Sequence, residues 1–134
     1  MIKNILQRQN ELMEKFGWFA HFKSGGDFTP FGVNYHTHGL ERNFNHPDIQ
    51  ICFPIEAQHA HQIIINVVRN IKEGVRYEPG KMYKDILEKH QVQFIRARDN
   101  DRRILRLILP DDDGSFDSER PVKQFSLVDN SEEN

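Results

Sequence analysis

The chain has 134 residues, 37% of them hydrophobic and 28% charged, with 18 Lys and Arg against 20 Asp and Glu. That length suits one domain, ten Phe can support a modest core, and no apolar run approaches the ~20 residues of a membrane helix, which argues against both a disordered chain and a membrane span. The N-terminal stretch lacks a continuous apolar region and Cys52 is the single cysteine, so the expectation is a cytoplasmic protein with no signal peptide and no internal disulfide.

Residues 2–16 place Ile2, Ile5, Leu6, Met13 and Phe16 on one side at helical spacing, and Gly17 supplies a stop. Trp18–Lys23 alternates at strand period, Ser24-Gly25-Gly26-Asp27 is turn chemistry, and Phe31–His38 reads as the second strand of a hairpin. Gly39–Pro47 reads as a polar loop and Asp48–Phe53 as a third strand. Glu56–Glu73 carries an apolar stripe of Ala57, Ala60, Ile64, Val67 and Ile71, closed by Gly74 and Val75 in the pattern of a glycine C-cap.

Glu78-Pro79-Gly80 marks a turn, and Met82–Leu87 fits either a strand or a short helix. Val92–Arg98 and Arg102–Leu109 read as a hairpin around Asp99-Asn100-Asp101, Pro110–Gly114 as an acidic turn, and Val122–Val128 as a short edge strand. The order predicts an α+β domain over residues 1–128, with a mainly antiparallel sheet, an N-terminal helix and a central amphipathic helix packed on it. Residues 129–134 form an acidic tail expected to fray.

Charge is uneven: residues 1–109 sum to +4 and residues 110–134 to −6. A net charge of −2 does not mark a nucleic-acid binder. Arg96, Arg98, Arg102, Arg103 and Arg106 form a local cluster that fits an anion site or, more simply, a solvated face paired with nearby acids.

Seven histidines are the unusual feature. On a strand, His36 and His38 point to the same face, close enough to share a metal ion; His46 or His21 is the candidate third ligand. Three protein ligands with an open position would allow a metal to activate water, with Asp48 or Glu41 as a base. The plainer reading is a polar strand face with no ion. His59 and His61 lie two apart on a helix and point away from each other, so they cannot grip one ion. Cys52 sits within an apolar strand and reads as inert packing. Asp111–Asp117 lacks the full alternation of a calcium loop and reads as a solvated turn.

His36-Thr37-His38-Gly39-Leu40, His46-Pro47-Asp48-Ile49, the segment Gly74-Val75-Arg76-Tyr77-Glu78-Pro79-Gly80 after a helix, and Leu109-Pro110-Asp111 with Gly114 and Phe116 together resemble an uncharacterised bacterial family, domain of unknown function 4262. The chain departs from that pattern where His36 replaces the usual Tyr and Leu109 the frequent Trp, and where the helix between the later strands is missing. The resemblance implies no reaction or cofactor. It points to a candidate ligand site at Tyr35, Thr37, Gly39, Leu40 and Asp48, with Asp111 nearby.

Two readings of function follow. One is a small ligand-binding or protein-interaction module, taking a small molecule, a protein or a second copy of itself. The other is a metal-dependent hydrolase using His36, His38 and His46 with a divalent transition metal.

Overall fold

Two three-stranded antiparallel meanders share one sheet in the computed structural model, which describes residues 4–24, 32–99 and 101–125. The first comprises β1 (Phe19–Ser24), β2 (Val33–His38) and β3 (Ile49–Ile51). The second comprises β4 (Met82–Tyr83), β5 (Val92–Asp99) and β6 (Arg102–Ile108). They meet where β3 runs parallel to β6, giving the order β1-β2-β3-β6-β5-β4. The expected α+β class, both hairpins and the antiparallel bias are present.

Among the described residues four helices accompany the sheet: α1 (Ile5–Phe16), α2 (Leu40–Phe44), α3 (Ala57–Lys72) and α4 (Glu119–Lys123). A capping box starts α1: the Asn4 side chain accepts from the Gln7 amide at 2.8 Å, and the Gln7 side chain accepts from the Asn4 amide at 3.3 Å. The end of α3 is closed by Gly74, whose amide donates to Ile71 while the Val75 amide donates to Asn70. No described helix is long and apolar enough to cross a membrane.

One sheet face is apolar. Tyr35, Ile49, Ile51, Phe94, Leu105 and Leu107 form a single core with Ala60, Ile64, Val67, Val68 and Ile71 of α3. Each fully buried Ile or Val contributes roughly 2 kcal/mol, enough to fix α3 on the sheet. The other face is polar yet largely buried: Asn34, His36, Gln50, Asp99 and Arg106 are all at most 4% exposed. Position in the register decides this, because alternation along β6 sends Leu105 and Leu107 one way and Arg106 the other.

Four expectations change. The stretch expected as a loop from Gly39 to Pro47 contains α2, because Leu40 and Phe44 lie one helical turn apart and turn inward together. Asp99, expected in a turn, is the last residue of β5 and pairs with Arg102. Met82–Leu87 yields only the two-residue β4. The edge strand expected at Val122–Val128 is not formed at its start, where Val122 and Lys123 end α4; residues 126–128 lie outside the described residues, as do the turn at 25–27, Asn100 and the tail at 129–134.

Candidate functional site

Pairing of β1 with β2 sets His21 opposite His36 and Phe19 opposite His38. Period two puts His36 and His38 on one face, and cross-strand pairing brings His21 to the same place. Ring centroids are 4.8 Å apart for His36 and His38, 5.1 Å for His21 and His36, and 6.3 Å for His21 and His38. One nitrogen from each ring lies within 4.8 Å of the others. A tetrahedral zinc site needs such nitrogens about 3.3 Å apart, inside that limit, and His21 and His38 are half-buried.

Behind His36 runs a chain of hydrogen bonds whose directions are settled at its two ends. Arg106 can only donate, and its Nε donates to Gln50 Oε1 at 2.8 Å. Gln50 Nε2 therefore donates to Asn34 Oδ1 at 3.0 Å. Asn34 Nδ2 donates to Asp99 Oδ1 at 3.0 Å, and an ionised Asp99 can only accept. Asn34 Oδ1 also lies 3.0 Å from His36 Nδ1, so that ring nitrogen carries the proton. In neutral His36 the lone pair is then on Nε2, which lies 3.7 Å from Asp99 Oδ2. Ligating histidines are held this way, with the second nitrogen donating to a fixed acceptor.

Burial favours the neutral form of two of the rings, His36 and His38. Burial lowers the His36 pKa from 6.5 to about 4, with Asp99 opposing. His38 is also lowered, first by burial and then by Arg102. Burial works against ionisation of Asp99, yet Arg102, His36 and Asn34 together hold its carboxyl below the usual range.

Arg102 ties this group to the family-like segment. Its Nη2 donates to Asp99 Oδ2 at 2.8 Å and to the Thr37 carbonyl at 3.0 Å, and its Nη1 to Asp48 Oδ2 at 3.2 Å. Asp48 Oδ1 accepts from the Thr37 hydroxyl at 2.7 Å and from the Leu40 amide at 3.0 Å. The Thr37 oxygen accepts in turn from the Ile49 amide at 3.0 Å. Gly39 sits at φ +104, and a Cβ there would meet the Gly17 carbonyl oxygen at 2.5 Å. The structure thus brings Thr37, Gly39, Leu40 and Asp48 together as an internally bonded corner, with Leu40 in the core.

Tyr35 points to the apolar face, its hydroxyl donating to the Ile55 carbonyl at 3.1 Å. Asp111 lies past the far end of β6 and takes the Ser118 hydroxyl, away from that corner. His46 does not join His36 and His38. Its Nδ1 donates to the Pro47 carbonyl at 2.8 Å, and its Nε2 accepts from the Tyr77 amide at 3.0 Å, so neither nitrogen is left for an ion. His21 is the histidine that the fold brings to the pair.

The arginine cluster divides. Arg102 and Arg106 serve the polar face, whereas the register sets Arg98 opposite Arg103 and Arg96 opposite Leu105. His59 and His61 are exposed on α3. Cys52 is fully buried, and burial raises its thiol to about 11, which keeps it unreactive. No motif in the sequence marks Asn34, Gln50 or Asp99 as site residues. Period two in β2 and β5 would have placed Asn34 with His36, and separated Asp99 from Arg96 and Arg98.

A family model, domain of unknown function (DUF4262), matches residues 12–122 of the chain. No curated protein and no solved structure gives a significant match.

Proposed function

The chain belongs to the DUF4262 family, and for this member we propose that His21, His36 and His38 bind one divalent transition metal ion. The observation that carries the reading is the convergence of three ring nitrogens within 4.8 Å from two paired strands. Neutral imidazole suits zinc, copper and nickel better than calcium or magnesium, which prefer oxygen. Within the class of ligand-binding modules, the metal is then the ligand.

The donor count favours one chemical role. Three protein nitrogens leave a position for water, and zinc in such a site brings bound water near pKa 7. The Asp99 carboxylate, hydrogen-bonded to Arg102, lies 3.7 Å from the His36 ring. Asp99 would offset part of the charge of an ion held there. Hydrolysis of an activated ester or phosphate is the reaction this arrangement would serve.

The test is a competition titration of zinc and cobalt against a chelating dye. The unmodified protein should take up one ion per chain. His21→Ala, His36→Ala and His38→Ala should each weaken uptake at least tenfold, in line with loss of a ligand or its supporting shell, while His46→Ala should not. Uptake well below one ion per chain would refute the proposal. Metal-dependent ester hydrolysis that vanishes in His38→Ala would establish the catalytic role; stoichiometric metal without it leaves a binding protein.

A further inference from the structure

A hollow lies under α1, with Phe19, which stacks on His38, in its wall. Although α1 is amphipathic, none of its residues is fully buried. Its inner side faces a hollow of about 470 Å³ between α1, β1 and α3. Leu12 and Phe16 line it from above, Trp18 and Ala20 from the sheet side, and Ile65 from α3. The small side chain of Ala20 helps create the space, since β1 carries a methyl group there between Trp18 and Phe22. A neighbouring hollow of about 350 Å³ shares Ala20 and His61 in its wall and continues along β1 and β2 past Phe22 and Tyr35.

The volume falls in the range of small-molecule sites. Among the described residues, the charges in the wall are of one sign: Arg8 and Lys72 line the larger hollow, and no carboxylate does. Lys72 also reaches over the Phe44 ring, its ammonium 5.5 Å from the centroid. An apolar slot with cations in its wall matches a molecule with an apolar body and one anionic end. We propose that this hollow binds a free, medium-chain monocarboxylate, with the alkyl chain along Ala20 and the carboxylate at Arg8 and Lys72.

Trp18 is the only tryptophan in the chain and lies in the wall, so its fluorescence reports occupancy directly. Decanoate, below its micellar concentration, should give a saturable blue shift. Shortening the acid by two carbons should weaken binding about tenfold. The exposed pair Arg8→Ala and Lys72→Ala should weaken decanoate about tenfold while leaving decanol unchanged. Ala20→Leu, checked for folding by circular dichroism, should weaken both. A response that never saturates, that survives Ala20→Leu in folded protein, or that is equal for decanoate in the double variant would overturn the proposal. So would a response confined to phosphatidylglycerol vesicles, which would make the cationic face a membrane contact. None of these readings depends on metal, because the titration is run with chelator present.

Discussion

Acid should destabilise this domain in a window that His36 defines. The side chain is 2% exposed, and burial moves its pKa from 6.5 to about 4. On acidification the unfolded chain gains a proton near the upper value, which the folded protein does not accept until the lower one. Stability therefore rises with pH through this interval, and falling from its top to its bottom costs about 3 kcal/mol for His36 alone. That is a large part of the ~5–15 kcal/mol that holds a small domain folded.

His38 and His46, also lowered mainly by burial, act in the same direction. Asp99 acts below the window: its stabilising charge is present above the ordinary carboxylate pKa of 3.8 and is lost as pH falls through its lowered value. Urea denaturation from about pH 4.5 to 7.5, with chelator present, measures the slope for the unmodified protein and for His36→Gln. The variant should lose roughly 2–3 kcal/mol less across the window. Equal slopes in the two proteins, or a nuclear magnetic resonance titration midpoint for His36 near 6.5, would refute the burial argument.

Three further substitutions probe the scaffold. Arg102→Ala leaves two nearly buried carboxylates, Asp48 and Asp99, without their shared cation; a loss of ~3 kcal/mol in denaturant unfolding is expected. Gly39→Ala must place a Cβ at φ +104, 2.5 Å from the Gly17 carbonyl oxygen, and should lower thermal stability far more than Gly80→Ala, whose Cβ meets nothing within 4 Å. His46→Ala removes the acceptor of the buried Tyr77 amide and should cost ~1–3 kcal/mol by calorimetry.

The sequence disclosed the site in halves. His36 and His38 were readable because their spacing depends only on strand period. Local spacing cannot choose the third histidine between His21, across a hairpin, and His46, eight residues downstream of His38. Hairpin register makes that choice, and it is a tertiary property. Asp99 and Arg102 were hidden for a related reason. As neighbours of Asn100 and Asp101 they look like turn and surface charges, but the hairpin carries them to the buried polar face.

The fold was more open to reading where many residues agreed. The stripe of α3 and its glycine stop, and the alternation of Leu105 and Leu107 with Ile104, Arg106 and Ile108, each repeat one signal several times. Helix α2 has a single turn, a glycine at its N-cap and no side-chain cap, so only the Leu40 and Phe44 spacing announces it. The resembled motif had a packing explanation as well. Thr37, Gly39, Leu40 and Asp48 are joined by mutual hydrogen bonds and close approach, and Arg102 connects that corner to the carboxylate beside the histidines.

X-ray absorption of zinc-loaded protein examines the proposed coordination itself. Three imidazole nitrogens and one oxygen at about 2.0 Å are expected, with one imidazole lost in His21→Ala and none lost in His46→Ala. A shell dominated by oxygen, or one that loses an imidazole in His46→Ala but not in His21→Ala, would contradict a metal centre on the paired strands.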